Sequence, residues 1–424
     1  MNTAGLSLDQ APPIIIPVKF FLTASLFSFF IGALILIEGE EIFLSRWSPL
    51  ALGLTHLVTV GFLAQVMTGA MMQLLPVLAG SPVPAVIATS RAIHLSMLTG
   101  AVLLVIGFIQ TFHHSLIIGA SFLAVAFLII LVSAAVSLYL SKSPLQNTLS
   151  IALGWVALVP TAAFGLFLVL GLTGIIQISD MTQMTTLHLS WGLLGWVGIV
   201  LFSTIFRIIP IFYVTKEIPS SIQVWSLPIV FFLLMLTTVS NYLNAGLLKT
   251  GLSLTVVLFL IIAFFAAASI HRRKRKIIDS TLLFVWTGIF SLVLSAIAWI
   301  LSDNDILVGT LLLWGVCLTI PIGVIYKIIP FLCWFHLQGM QIKREKLTYT
   351  LPSMKYFIRE RSAKVHYYLH MSSFCLLLFA FLLPAPFTRL AGLAFTFSSL
   401  YLFKNILFAF LRFRREQRFL CSEG

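Results

Sequence analysis

Charge is what this chain has least of. Asp, Glu, Lys and Arg make up 9% of 424 residues, against 60% hydrophobic residues, and the mean hydropathy is +1.07. An ordinary soluble domain carries about 25% charged residues, so this composition excludes that class and places the chain in a bilayer. Acid is scarcer than base, with 13 Asp and Glu against 26 Lys and Arg, and every acidic residue falls near a span end, in a loop or in a tail. A proton-coupled transporter usually keeps a titrating carboxylate at the bilayer midplane, and none is found there. The four cysteines, Cys317, Cys333, Cys375 and Cys421, form no Cys-x-x-Cys, no covalent haem attachment motif and no metal knuckle. They read as packing residues. The chain also lacks a phosphate loop and any soluble segment large enough for a second activity, which argues against a primary ATP-driven pump as a single chain. The N-terminal stretch ending in Pro12 and Pro13 has no basic flank and no small-residue cleavage site, so it is expected to be retained rather than removed as a signal peptide.

Long apolar runs are abundant. Crossing about 30 Å of hydrocarbon takes roughly 20 helical residues, and such runs fall near 14–38, 49–79, 91–110, 115–140, 148–173 and 183–214. Six more fall near 221–241, 247–270, 278–301, 305–335, 365–384 and 388–411. Three of them end in one pattern: Gly61, Gly69, Gln73, Pro76; then Gly195, Ser203, Arg207, Pro210; then Gly315, Gly323, Lys327, Pro330. In each copy a small residue follows the first glycine by eight places, and a polar residue precedes the proline by three. Such equal spacing marks an internal repeat. The expected fold is therefore all-α and integral to the membrane, with 12 transmembrane helices as three pseudo-threefold parallel repeats of four. One transmembrane domain covers 1–424, with repeats at about 14–140, 148–270 and 278–411. The glycines let helices approach closely, and each proline near the inner end of its span would kink or terminate it. Gln73, Arg207 and Lys327 would then snorkel toward the headgroups.

Basic residues set the orientation, because short cytoplasmic loops carry the positive excess. The run from His271 to Lys276 joins spans eight and nine, and the loop at about 337–364 holds Lys343, Arg344, Lys346, Lys355, Arg359, Arg361 and Lys364. The tail adds Arg412, Arg414, Arg415 and Arg418, whereas loops of the other parity carry Glu38, Glu40, Glu41, Asp180, Asp303 and Asp305. Both termini are thus expected in the cytoplasm, with the chain in a bacterial inner (cytoplasmic) membrane. Topology and anionic lipid account for the net charge of +13, so no nucleic-acid partner is needed.

The histidines divide into two sets under this topology. His56 on span two and His188 on span six lie at similar depth toward the outer face, and His113 and His114 occupy the outer loop between spans three and four. Imidazole suits haem iron, copper or zinc, which makes these the candidate ligands. The plainer alternative is a hydrogen bond to a carbonyl between helices. The inner set is His94, His336, His366 and His370; the last two are one turn apart and could share a face or a metal, but are expected where headgroups and water begin. The 37 Phe and nine Trp suit interface belts and a flat cofactor alike.

Twelve spans in three parallel sets of four, with outer-half histidines on spans two and six, resemble the catalytic subunit I of haem–copper oxidases and nitric oxide reductases. The stretches Leu187-His-Leu-Ser-Trp-Gly-Leu-Leu-Gly-Trp196 and Thr55-His-Leu-Val-Thr-Val-Gly-Phe62 are similar to those of its short relatives, including the NnrS-like membrane proteins. The resemblance covers most of the chain as topology and these stretches as sequence. It implies that His56 is an axial ligand of a low-spin b-type haem and His188 a copper ligand. The departures are equally specific. Such oxidases carry a His-x-His pair on span ten and a His-His pair on span seven, and spans ten and seven here, about 305–335 and 221–241, contain no histidine. The complete two-haem and copper centre cannot be assembled, nor are the usual glutamate and lysine proton routes evident. What the resemblance leaves is one b-type haem or one copper ion near the periplasmic side, held by His56, His188 or both. A methionine, His113 or His114 would be a second ligand, and electron-transfer or assembly subunits are the implied partners. A second class stays open: a small-solute transporter whose substrate meets Arg207, Lys327 or Gln65, or an assembly factor that kept the fold without the cofactor.

Overall fold

The computed structural model describes residues 12–141, 145–215, 218–243, 246–274, 276–345 and 349–422. The stretch 1–11, Arg275 and Lys346 lie outside the described residues. Among the described residues there is no β-strand, and eleven helices are long and apolar enough to cross a membrane. The chain is a multi-pass helical membrane protein. In chain order the first six are α1 (Ile15–Phe43), α2 (Pro49–Pro76), α3 (Val86–Ile109), α4 (His113–Tyr139), α5 (Thr148–Leu172) and α6 (Met181–Tyr213). There follow α7 (Ser220–Tyr242), α8 (Leu248–His271), α9 (Ser280–Leu301) and α10 (Asp305–Lys343). The series closes with α11 (Glu360–Phe379) and α12 (Pro384–Cys421).

The helix outside the eleven is α11, where the sequence suggested a span at about 365–384. It begins earlier, at Glu360, and its first turns carry Arg361, Lys364, His366 and two tyrosines, so it lacks a sufficiently apolar window. It ends at Phe379 because the chain turns through 380–383 to let Pro384 open α12, a position where the missing N–H is not needed. In turn α12 runs to Cys421, well past the expected end near 411. Of the three motif prolines, one departs from the expected place near a helix end. Pro76 and Pro210 sit inside helical segments that end within a turn, at Ala79 and Tyr213, but the segment holding Pro330 continues to Lys343.

Helix starts explain where several polar residues lie. The first N–H groups of a helix have no intrahelical partner, and a short polar side chain just before the first turn can accept from them. Ser48 accepts from Ala51 at 3.1 Å, Asp180 from Gln183 at 2.9 Å, Asp279 from Leu282 at 3.1 Å and Asn304 from Leu307 at 3.0 Å. These open α2, α6, α9 and α10 respectively.

The three helices carrying the repeated pattern stand apart in two ways. Their apolar windows are 67, 72 and 78% buried for α2, α6 and α10, against 28–50% for the other eight. Each also widens into a π-helical stretch, at Leu57–Leu63, Ser190–Gly198 and Leu313–Leu318. The first glycine of each pattern, Gly61, Gly195 or Gly315, falls within that stretch. A π turn re-aims the side chains beyond it and is frequent at functional sites.

Contacts divide the described residues into two compact units, one spanning 71–277 with Pro12 and the other 13–70 with 278–422. In the second, α1 lies along α12 through small residues. A Cβ on Gly32 would sit 2.6 Å from the Thr396 backbone nitrogen and 3.0 Å from the Gly392 carbonyl oxygen. Backbone cannot rotate away as a side chain can. Gly32→Ala is therefore expected to destabilise the purified protein by about 1–3 kcal/mol, the usual cost of overpacking. Thermal unfolding in detergent reads this directly, and an unchanged midpoint would contradict the close contact. At the end of the same helix, Gly39 turns the chain at φ +64°, and Arg389 donates to the Leu36 and Ile37 carbonyls at 3.1 and 2.7 Å. Those carbonyls would otherwise lack partners.

Candidate functional site

His56 is the last residue of the α-helical part of α2, immediately before the π stretch. Its Nδ1 lies 2.8 Å from the Leu52 carbonyl oxygen. A carbonyl only accepts, so the ring carries its proton on Nδ1 and its lone pair on Nε2. His188 stands two residues before the π stretch of α6, and its Nδ1 lies 3.0 Å from the Thr161 carbonyl oxygen of α5. The same reasoning puts its lone pair on Nε2. The ring is packed on Gly165, where an added Cβ would come within 2.8 Å of His188 Cε1. Each imidazole is thus oriented by a carbonyl in the way a ligating histidine usually is.

His56 belongs to the unit containing 13–70, and His188 to the unit containing 71–277. His113 and His114 are the first two residues of α4 and are exposed. Among the described residues no three His, Cys, Asp or Glu side chains group as metal ligands. His188, His113 and His114 do not form such a set.

The inner histidines hold a surprise for the sequence reading. His366 and His370, expected at the wet end of span eleven, are buried, at 1% and 0% exposure. Helix α11 turns their shared face onto α10 and α12 rather than outward. Thr319 donates to the Trp314 carbonyl at 2.7 Å, so its oxygen accepts from His370 Nε2 at 2.8 Å. Asn405 donates to the Tyr326 hydroxyl at 2.9 Å, and the Tyr326 proton finds its acceptor among the described residues in His366 Nδ1 at 2.8 Å. Ser362 supplies the last link, donating to Asn405 Oδ1 at 2.7 Å. Proton order then follows along the chain: His366 carries its proton on Nε2, and His370 holds its lone pair on Nδ1. Among the described residues those two atoms, with Trp314 Nε1, are buried without hydrogen-bond partners. Phe284 lies against both rings, its centroid 5.8 Å from that of His366 and 5.6 Å from that of His370. The i, i+4 histidines were the available signal; their burial was hidden because α11 opens with charge.

The polar residues of the repeated pattern do not share one fate. Lys327 does not reach for headgroups: its Nζ is 2.5 Å from Asp279 Oδ2, the residue that caps α9. Gln73 is buried, with Oε1 unpartnered, and Arg207 is half-buried. For Lys327 the acid is 48 residues away in the chain, which sequence spacing does not reveal. Four residues after Gly61, Gln65 is fully buried, with neither amide atom paired among the described residues. The acids again keep to helix ends. Glu416, near the end of α12, accepts from Tyr349 at 2.5 Å and Tyr356 at 2.9 Å, while Arg412 donates to the Tyr356 and Phe357 carbonyls at 2.9 and 2.8 Å. Cys317 and Cys333 are buried, Cys375 and Cys421 exposed, and all four are free thiols.

No protein-family profile matches the chain, and no curated protein matches it significantly.

Proposed function

We propose that this is a divergent haem–copper-oxidase-like protein of the bacterial inner membrane. In this reading it binds one b-type haem or one copper ion toward the periplasmic side and acts in electron transfer, nitric oxide response or metal handling. The observation that carries the reading is the shared geometry of His56 and His188: each stands just before a π stretch, and each gives its Nδ1 proton to a carbonyl so that Nε2 bears the lone pair. The donor set favours haem over copper. A haem brings four nitrogen donors of its own and asks the chain for one or two imidazoles, whereas a copper site draws its ligand set from the protein, and no three-residue group is present among the described residues. A bound haem would supply one-electron transfer. The chain's part is to hold each ring in the ligating tautomer and to bury it among apolar helices.

The architecture belongs to the same proposal. Helix α11 is the eleventh of twelve spans, the three π-widened helices are the second members of three repeats of four, and the basic loops and both termini face the cytoplasm. Iron and copper content of the detergent-purified chain, expressed with ample haem, tests the assignment. Iron near one per chain is expected, and a protein with neither metal would overturn it. One observation favours a second reading as a small-solute carrier: Gln65 offers a buried, unpaired amide on α2, which a polar solute could satisfy. In that reading Lys327 makes no substrate contact, being held by Asp279.

A further inference from the structure

A groove of about 250 Å³ opens where the start of α1 meets the ends of α10 and α12. It is below the roughly 300–1,000 Å³ of sites that enclose a drug-sized ligand, so it suits one segment of a longer molecule. Ile14, Ile15, Phe410 and Phe413 give it an apolar floor and walls. His336, Arg414 and Gln417 are the polar residues that line it.

The polar side is built and incompletely satisfied. Among the described residues His336 Nε2 is buried without a partner. Arg414 has five N–H donors, and among the described residues its hydrogen bond is one long contact of 3.4 Å to Gln417 Oε1. Of its neighbours, Arg412 is committed to the Tyr356 and Phe357 carbonyls. Among the described residues the acid in these last turns is Glu416, which is 9% exposed and held by two tyrosines, so it does not neutralise the rim. Around the groove the apolar surface is the kind that faces lipid: Ile15 is 48% exposed and Leu411 51%. An occupant therefore arrives from the bilayer, presents an apolar chain to isoleucine and phenylalanine, and presents an anion to arginine.

We propose that this groove is a binding site for an anionic phospholipid, with the phosphate on Arg414 and His336 and the first part of an acyl chain against Ile14 and Phe413. Basic recesses between transmembrane helices are apt for such headgroups. The site is separate from His56 and His188 and does not depend on what they bind.

Native mass spectrometry of the full chain in detergent tests it, using phosphatidylglycerol and phosphatidylcholine with identical acyl chains. One phosphatidylglycerol per chain is expected to survive conditions that strip phosphatidylcholine. Arg414→Gln should weaken its retention about fivefold, the contribution of one basic residue at an anionic surface, and His336→Phe should weaken it as well. Arg418→Gln, an exposed arginine on the same helix outside the groove, should leave it unchanged. Equal retention of the two lipids, or equal weakening by Arg414→Gln and Arg418→Gln, would overturn the proposal by showing only a diffuse charge effect. So would displacement of the lipid by inorganic phosphate alone, since the apolar wall would then contribute nothing.

Discussion

His56→Ala is expected to empty the cofactor site while leaving the chain folded and inserted. Losing an outer-shell partner of a metal site typically weakens it 10–100-fold, so losing the ligand itself should leave less than about a tenth of the bound haem. The bundle has little reason to fail. His56 is half-buried and its Nδ1 bonds within its own helix, to Leu52, whereas the packing of α2 rests on Leu57, Val58, Phe62 and Leu63, all nearly inaccessible. If His188 rather than His56 holds the haem, His188→Ala should act in the same way. There the Thr161 carbonyl loses a partner and Gly165 loses the ring packed on it, so a modest drop in stability should accompany the loss of cofactor. Haem content and size-exclusion profile of both variants are the readouts. Full haem content in both would remove these histidines from the site.

The second large effect is expected in the buried network, and it follows from proton order. Tyr326→Phe leaves Asn405 Nδ2 without an acceptor and His366 Nδ1 without a donor in one step. A stranded buried polar group costs about 1–3 kcal/mol, so the variant should lose about 2–4 kcal/mol. His370→Leu should differ sharply. Thr319 still donates to the Trp314 carbonyl, and the Nδ1 removed was already unpaired, so the change should stay within about 1 kcal/mol. Thermal unfolding of both variants in detergent decides the point. If His370→Leu proves the more damaging, the deduced direction of the hydrogen-bond chain is wrong.

Much of the architecture was legible in the residues because a bilayer imposes length and apolarity on each crossing helix. The runs at 86–109 and 248–271 differ from the reading by only a few residues. Helix α11 was harder, since Glu360, Arg361 and Lys364 belong to the helix and not to the loop before it. Spacing located the pattern around Gly61, Gly195 and Gly315, but it could not foretell that each glycine would sit in a π turn, which depends on how the backbone is packed. The sites divide similarly. Helical depth marked His56 and His188, whereas the carbonyls that orient them are four residues away in one case and on another helix in the other. His366 and His370 were visible as a pair, but their burial depends on Tyr326, Thr319 and Asn405, which are distant in sequence. Lys327 shows the same limit: its partner Asp279 is 48 residues away.

The central claim is that imidazoles at His56 or His188 hold a haem, and a reduced-minus-oxidised visible spectrum of the detergent-purified protein tests it most directly. A Soret band that sharpens on dithionite reduction, with resolved α and β bands, is the expected result and identifies a six-coordinate b-type haem. A colourless protein from cells supplied with ample haem would contradict it and shift the function toward the solute carrier, with Gln65 as the first residue to test.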